Sequence, residues 1–341
     1  MDDKKKLLVT GAGGQLAREY ELSDPMMDWD YIFLSRSDLD ISNINAIRDV
    51  CKNFNIDAIL NLAAYTNVEK AEKEETEKCF DANASGPKNL AIVCNENQIP
   101  LIHISTDYVF DGKKGEPYNE SDKENPLNDY GRTKFVGEKW IQETHDWYYI
   151  LRVSWVYSNI SKNFFSTMLN LAQERTELNV VNDQFGSPTS TKEICRAIDV
   201  IMADLDKEKS GVYHFSGLGR TNWKEFAAEI FNQCKVSIRV NGIPSGSWKS
   251  KVIRPEDTYM DSRKFEKTFG YRPLHWKTAL TQVVAERKIL PIKVGDLVQA
   301  ESGEHVIVAT DWLKRIAKLS PTSDMKKIIE LPFEVLVNNE K

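Results

Sequence analysis

Four times between residues 6 and about 138 a short apolar run gives way to a segment with helical spacing, and this alternation constrains the chain more than any single motif. Apolar runs of four to eight residues between turn residues read as buried strands. They fall at 6–10, 31–35, 58–63 and 101–105. Helices are expected through about residue 21, after the turn Asp38-Leu39-Asp40-Ile41-Ser42, up to about residue 95, and from residue 128. Strands joined through helices pair in parallel, because the connection has to cross a face of the sheet. The expected fold is therefore α/β, a doubly wound parallel sheet with ligands outside the C-terminal ends of its strands.

Each of those strand ends carries residues with a chemical use. The first runs into Gly11-Ala12-Gly13-Gly14-Gln15-Leu16-Ala17. Gly11 and Gly14 let the backbone bend sharply and approach a pyrophosphate, whose charge a helix N-terminus would meet. The same glycines also serve a plain tight connection, but the strand–turn–helix setting favours a dinucleotide. The second strand ends at Ser35-Arg36-Ser37, where an acidic residue would hold a ribose diol. Arg36 instead offers a partner for a 2′-phosphate, favouring NADP(H), unless it is simply a solvated loop residue. The third strand ends in Ala63-Ala64-Tyr65-Thr66, with two small residues where a strand would approach a dinucleotide.

The fourth strand ends in Ser105, Thr106 and Asp107, and Asn128-Asp129 opens a helix with Tyr130 and Lys134 one turn apart on one face. A phenol with a pKa near 10 is a poor acid at neutral pH unless a nearby ammonium favours its anion. Lys134 is spaced to do this, and a hydroxyl at the strand end, Thr106, can hydrogen-bond the same reacting oxygen. Tyr-x-x-x-Lys alone is common on surface helices. Its expected convergence with the other strand ends at one edge makes it a candidate proton-delivery device.

Composition narrows the alternatives. With 45 basic and 51 acidic residues the net charge is −6, which gives no electrostatic basis for nucleic-acid binding. No apolar run reaches the length of a membrane span. The charged start MDDKKKLLVT does not read as a signal peptide. Five scattered cysteines without Cys-x-x-Cys fit a reducing cytoplasm and neither a disulfide framework nor a zinc site. The five histidines lack metal-ligand spacing. The mixed charges of residues 69–78 read as a solvated helical face.

On GAGGQLA (11–17), LDIS (39–42), NLAAYTNVEKAE (61–72), STDYVFDG (105–112), NPLNDYGRTKFVGE (125–138), LRVSWVY (151–157), NDQFGSPT (182–189) and RPEDTYMDSRKFEKTFG (254–270), the chain resembles the extended short-chain dehydrogenase/reductase superfamily. Within it, the chain is similar to the dTDP-4-dehydrorhamnose reductase family. The resemblance covers about residues 5 to 285 and implies a Rossmann-type fold. It implies Tyr130 as proton donor to a C4 ketone, Lys134 as holder of the nicotinamide ribose, and Thr106 as a ligand of the ketone oxygen. Asp107, Tyr108 and Trp155 match positions near the sugar, although a Trp is more often core. Gly14, Gln15, Leu16, Asp40 and Ile41 match cofactor contacts, with Tyr65 and Thr66 along the cofactor's path. A nucleoside diphosphate needs a cation, and bidentate Arg suits it. Arg254, in a matching loop, is the candidate; a structural ion pair is the alternative. Ala17 departs from the commoner Gly. Some relatives are described as binding Mg²⁺ through acidic residues at a dimer contact. Glu19 matches one such position but Lys192 replaces another, so no metal site is carried over.

The expected organisation is an NADP(H)-binding domain over 1–155, a smaller substrate-binding subdomain over 156–285 with segments returning to the sheet, and an appended α+β module over 286–341. In that module a hairpin is expected from 297–300 and 305–309, then a short helix capped by Asp311 carrying Trp312, Leu313 and Ile316. An edge strand broken by Pro332 is expected over 328–337, and His305 reads as structural. Subunit contact, as in a homodimer, is the expected use of the module, with a lid over the substrate as the lesser one. The resemblance implies an NAD(P)H-dependent reductase converting dTDP-4-dehydro-β-L-rhamnose to dTDP-β-L-rhamnose for surface polysaccharide, with NADPH favoured and NADH left open. The alternatives are a reductase or epimerase of another nucleotide sugar, and a non-catalytic NADP(H)-binding regulatory subunit. Retention of Thr106, Tyr130 and Lys134 speaks against the last.

Overall fold

The computed structural model describes residues 4–23, 26–247, 250 and 252–286, together with the backbone of 297–300, 303–311, 316–321 and 329–332. The first strand, β1 (Lys5–Thr10), leads through a glycine-rich bend to α1 (Gln15–Leu22) and then β2 (Trp29–Leu34). Next come α2 (Ile44–Phe54) and β3 (Ala58–Asn61). The side chain of Asn43 caps α2 by accepting from the backbone N–H groups of Asn45 and Ala46, and Asn55 ends it in the left-handed conformation. Two short helices, α3 (Val68–Ala71) and α4 (Thr76–Phe80), a π-turn at Asp81–Ser85 and α5 (Gly86–Asn97) precede β4 (Leu101–Thr106). A long loop then reaches α6 (Asp129–Thr144), capped by Asn128, and β5 (Tyr148–Val153).

Beyond β5 the chain forms β6 (Val156–Tyr157), α7 (Phe164–Glu174), β7 (Glu177–Val181), β8 (Phe185–Gly186), β9 (Thr189–Ser190) and α8 (Thr191–Met202). It continues through β10 (Gly211–His214), β11 (Thr221–Asn222), α9 (Trp223–Gln233), β12 (Arg239–Ile243), α10 (Arg263–Phe269) and α11 (Trp276–Glu286). The six-stranded sheet has the order β10-β5-β4-β3-β1-β2, and every neighbouring pair is parallel. The order reverses between β1 and β3, which opens the crevice where doubly wound sheets take their ligands.

Successive residues of each strand enter different cores. Leu7 and Val9 of β1 join Tyr20 of α1 and Ile194, Ile198 and Ile201 of α8 on one face. Leu8 joins Ile47, Leu90 and Ile141 on the other. Burial on both faces explains why these strands read as continuous apolar runs. A separate core, built from Tyr157, Phe165, Leu178, Phe226 and Trp276, joins α7, α9 and α11 to the parallel pair β7–β12.

The tail forms a four-stranded antiparallel sheet of β13 (Leu297–Ala300), β14 (Gly303–Asp311), β15 (Ile316–Pro321) and β16 (Ile329–Pro332). The hairpin is present, and β16 stands at the sheet edge and ends at Pro332, where a missing N–H does least harm. The expected helix is corrected at both of its described positions. Asp311 ends β14, and Ile316 opens β15 by pairing with Asp311 and Pro332, so ladder bonding prevails over the local capping signal. Trp312 and Leu313 lie outside the described residues. Among the described residues the appended module contains strands only, not α+β.

A fully buried ion pair fixes α6 against the sheet. Arg152 of β5 donates from Nη2 to Glu138 at 2.6 Å and to Glu124 at 2.6 Å, and Ser105 Oγ also donates to Glu138. Removing one partner of such a pair strands the other charge in the interior, at about 3–5 kcal/mol. Urea unfolding should therefore show Arg152→Met destabilised by about this amount, with Arg152→Met/Glu138→Gln recovering part of the loss. Equal losses in the single and double variants would show that the stranded carboxylate is not the cause.

Candidate active site

The glycine-rich bend owes its geometry to crowding at the crevice. Gly11 has φ +75°, and a Cβ there would lie 2.6 Å from the backbone nitrogen of Ala63. Only glycine combines this conformation with this approach. The ends of β1 and β3 are thus in van der Waals contact, and Gly11, Gly14, Arg36, Asp40, Ile41, Ala63, Ala64 and Tyr65 line one cavity of about 190 Å³. Helix α1 points its N-terminus here with Gly14 as its N-cap and no acidic side chain in its first turn. Its leading N–H groups are suited to an anion. Arg36 is exposed at the mouth, 3.9 Å from Asp40.

The remaining cofactor candidates lie apart from this lining. Gln15 accepts from Asn163 Nδ2 at 3.2 Å, tying α1 to the cap of α7. Leu16 packs against the first core, and Thr66 is exposed. Tyr65 is clamped through its backbone: its N–H donates to Asn83 Oδ1 and its carbonyl accepts from Asn83 Nδ2, both at 2.9 Å. Asn83 sits in the π-turn, an irregularity that nothing in the sequence announced.

At the end of β4, Thr106 caps a short 3₁₀ turn over Asp107–Val109 by accepting from the N–H of Tyr108 at 3.2 Å. Helix α6 lies against that turn. A Cβ on Gly131 would come within 2.3 Å of the Tyr108 carbonyl, so the glycine between Tyr130 and Lys134 permits the close docking. Tyr108 and Tyr130 meet edge to face at 5.7 Å. Lys134 is buried and donates from Nζ to the Ile104 carbonyl at 2.6 Å, with His103 Nε2 at 3.2 Å.

Burial dominates the electrostatics of this cluster. It pushes the Tyr130 phenol upward, with the Thr106 hydroxyl acting the other way. It pulls the Lys134 amine down to about 8 against the opposing influence of Glu138 and Cys79. It raises the Asp107 carboxyl to about 6 although Thr258 and Thr106 hydroxyls bond to it. The phenol stands above its ordinary value because desolvating the phenolate outweighs the Thr106 hydrogen bond.

A cavity of about 450 Å³ is lined by Phe164, Gln184, Trp223, Val252, Arg254 and Glu256, among others. Arg254 donates to Glu69 at 2.6 Å and to Ser250 Oγ at 2.7 Å, and it is close enough to Tyr108 to influence that phenol. Trp155 adopts φ +45° and stacks on Trp223 at 3.6 Å. It therefore borders this cavity through its partner rather than lining it. Asp107 accepts from Thr258 at 2.5 Å, pinning the loop around residue 258 to the end of β4. Lys192 stands 3.8 Å from Glu19 and also pairs with Glu286, which makes this cluster an ion-pair network. Among the described residues no group of three or more His, Cys, Asp or Glu side chains is arranged to hold a metal. Nor is any described helix long and apolar enough to cross a membrane.

Sequence reasoning missed His103, Asn61, Thr258, Trp223 and Glu69. Thr258 carried a signal, since it belongs to the same motif as Arg254. A histidine within the apolar run LIHIS reads as core and gave none.

The family profile described as RmlD substrate binding domain matches residues 5–289. The dTDP-4-dehydrorhamnose reductase of Sinorhizobium fredii is 36% identical over 287 residues, spanning 82% of this chain and 96% of that protein. The solved dTDP-4-dehydrorhamnose reductase of Clostridium acetobutylicum superposes with a TM-score of 0.79 at 34% identity, covering 83% of this chain and 100% of the other. The Bacillus anthracis dTDP-4-dehydrorhamnose reductase, solved in complex with NADP, gives 0.79 at 32% identity, covering 83% and 99%. With its parallel six-stranded sheet and this match across most of its length, the chain belongs to the RmlD substrate binding domain family, together with the dTDP-4-dehydrorhamnose reductases.

Proposed function

We propose that this protein is a cytoplasmic NADPH-dependent reductase of the C4 ketone of a dTDP-4-dehydro-6-deoxy sugar, with dTDP-4-dehydro-β-L-rhamnose as substrate and dTDP-β-L-rhamnose as product. The observation that carries the reading is the meeting of Thr106, Tyr130 and Lys134 at the strand edge shared with the glycine-rich crevice, in a chain whose relatives bear that name. The crevice fits a dinucleotide: Gly11 and Ala63 leave bare backbone at the reversal point, and the N-terminus of α1 is open to a pyrophosphate. Arg36 at the mouth is the partner for a 2′-phosphate, and Asp40 and Ile41 border the same space. Bound there, a reduced nicotinamide supplies a hydride.

The chain's own residues do the rest. Tyr130 gives its phenolic proton to the ketone oxygen as the carbonyl carbon becomes an alcohol carbon, and Thr106 hydrogen-bonds that oxygen. The raised phenol pKa keeps the proton in place until the ketone demands it. Lys134 lies one turn away to steady the phenolate that remains and to hold the ribose. Asp107, Tyr108 and the Trp155–Trp223 stack border the sugar. Arg254, within reach of both Glu69 and the cavity, exchanges carboxylate for diphosphate as the nucleotide sugar enters.

Three measurements check this. Tyr130→Phe should lower kcat with NADPH and the keto sugar by about 10²–10⁴-fold while NADPH binding by fluorescence titration persists; near-normal turnover would remove Tyr130 as the acid. In Arg36→Leu the ratio of kcat/KM for NADPH over NADH should fall about tenfold, the loss of one charge-assisted hydrogen bond. An unchanged ratio would make Arg36 a bystander. Arg254→Lys keeps the charge and loses the fork, so KM for the nucleotide sugar should rise about tenfold with kcat little changed; a fall confined to kcat would contradict the diphosphate role.

A further inference from the structure

Residues 253–258 carry Arg254 along the larger cavity, and this short stretch is fastened at both ends to the elements that bear Tyr130 and Thr106. At one end Asn128 Nδ2 donates to the Ile253 carbonyl at 2.9 Å. Asn128 is also the N-cap of α6, where its Oδ1 accepts from the N–H of Gly131 at 2.9 Å. A backbone N–H can only donate, so the capping atom is the amide oxygen and the NH₂ group faces Ile253. At the other end Thr258 Oγ1 donates to Asp107 Oδ2 at 2.5 Å, beside Thr106. Asn128 and Thr258 are each 1% exposed, so both anchoring side chains lie in the interior.

The middle of the stretch is held by backbone. The N–H of Phe185 donates to the Glu256 carbonyl at 2.6 Å, and the N–H of Thr258 donates to the Phe185 carbonyl at 3.0 Å. Gly112, with φ +76°, comes so close that a Cβ there would lie 2.6 Å from the Glu256 nitrogen. What these contacts leave unexplained is the choice of side chain at the two ends. Ser and Asp cap a helix as well as Asn does. An ionised Asp has no donor, however, and the Ser hydroxyl stands one bond nearer its own backbone. Asn combines a capping acceptor with a donor aimed the other way. At position 258 Val would fill the space of Thr and lose the hydroxyl that Asp107 accepts from.

We propose that Asn128 and Thr258 are positioning residues that fasten the Arg254 stretch to the start of α6 and the end of β4, so that the diphosphate and the reacting ketone of one substrate are held in a fixed register. The inference rests on the reading of Arg254 as diphosphate ligand and Tyr130 as acid. Tyr130 follows Asn128 by two residues and Thr106 precedes Asp107, so each anchor ties Arg254 to one of the two groups that meet the ketone oxygen. Losing an anchor loosens Arg254 without altering its charge or its fork. The nucleotide sugar then binds more weakly, while the glycine-rich crevice is untouched.

Steady-state kinetics of the full-length chain with NADPH and the keto sugar test this. Asn128→Ser keeps a cap, drops the bond to Ile253 and adds no charge. Its KM for the nucleotide sugar should rise about tenfold, with kcat and NADPH binding little changed. Thr258→Val should shift KM in the same direction, and Thr258→Ser, which keeps the hydroxyl, should restore it. An unmoved KM in either Asn128→Ser or Thr258→Val overturns the proposal, as does a Thr258→Ser variant no better than Thr258→Val. Because Asn128 acts through Arg254, adding Asn128→Ser to Arg254→Lys should raise KM by less than it does in the wild type. Effects that simply multiply would show that Asn128 acts elsewhere and overturn its assignment. The two readings fail differently. A normal KM in Arg254→Lys refutes the diphosphate role itself, whereas a raised KM there with a normal KM in Asn128→Ser refutes only the anchoring.

Discussion

Lys134 is sunk into the molecule with its amine held by the Ile104 carbonyl and the His103 ring, and the rest of the site depends on that burial. A lysine gives up several kcal/mol of hydration in such a place unless its polar atoms are matched. The match comes from β4, and β4 is held in register by β3 and β5 on either side. The amine therefore marks where α6 must lie. With α6 in that position, Tyr130 stands against Tyr108 and faces Thr106, and Gly131 sits where a larger residue would strike the turn.

The same burial orders the protonation states. Phenol, amine and carboxylate each move toward the uncharged form: Tyr130 up, Lys134 down, Asp107 up. The nearby Arg152–Glu138 pair is charged and lies just as deep, but its two ions face each other and Ser105 supplies a further donor. One buried cluster is an ion pair, and in its neighbour one helical turn away burial shifts Lys134 down and Tyr130 up.

Where sequence and structure part company, the reason is contact between segments distant in the chain. The strand–helix alternation, the start of α6 at Asn128 and the presence of a glycine-rich bend are written in residues a few positions apart, and each could be read directly. Arg254 could be picked out as a candidate, but its pairing with Glu69, 185 residues away in sequence, could not. Trp155 belonged to a motif, yet its position depends on a stack with Trp223. In the tail the capping signal at Asp311 gave way to a ladder between β14 and β15, since a cap is a local preference and strand pairing is cooperative.

From the sequence alone came the kind of sheet, the edge at which its ligands gather, and the residue types able to move a hydride's companion proton. Those properties reside in periodicity, turn chemistry and the short span between Tyr130 and Lys134. Only the tertiary structure decided how those groups are charged. The direction in which Tyr130 and Lys134 shift is set first by how much water folding removes around them. Solvent exclusion and donor–acceptor matching arise only when strands far apart in the chain lie side by side.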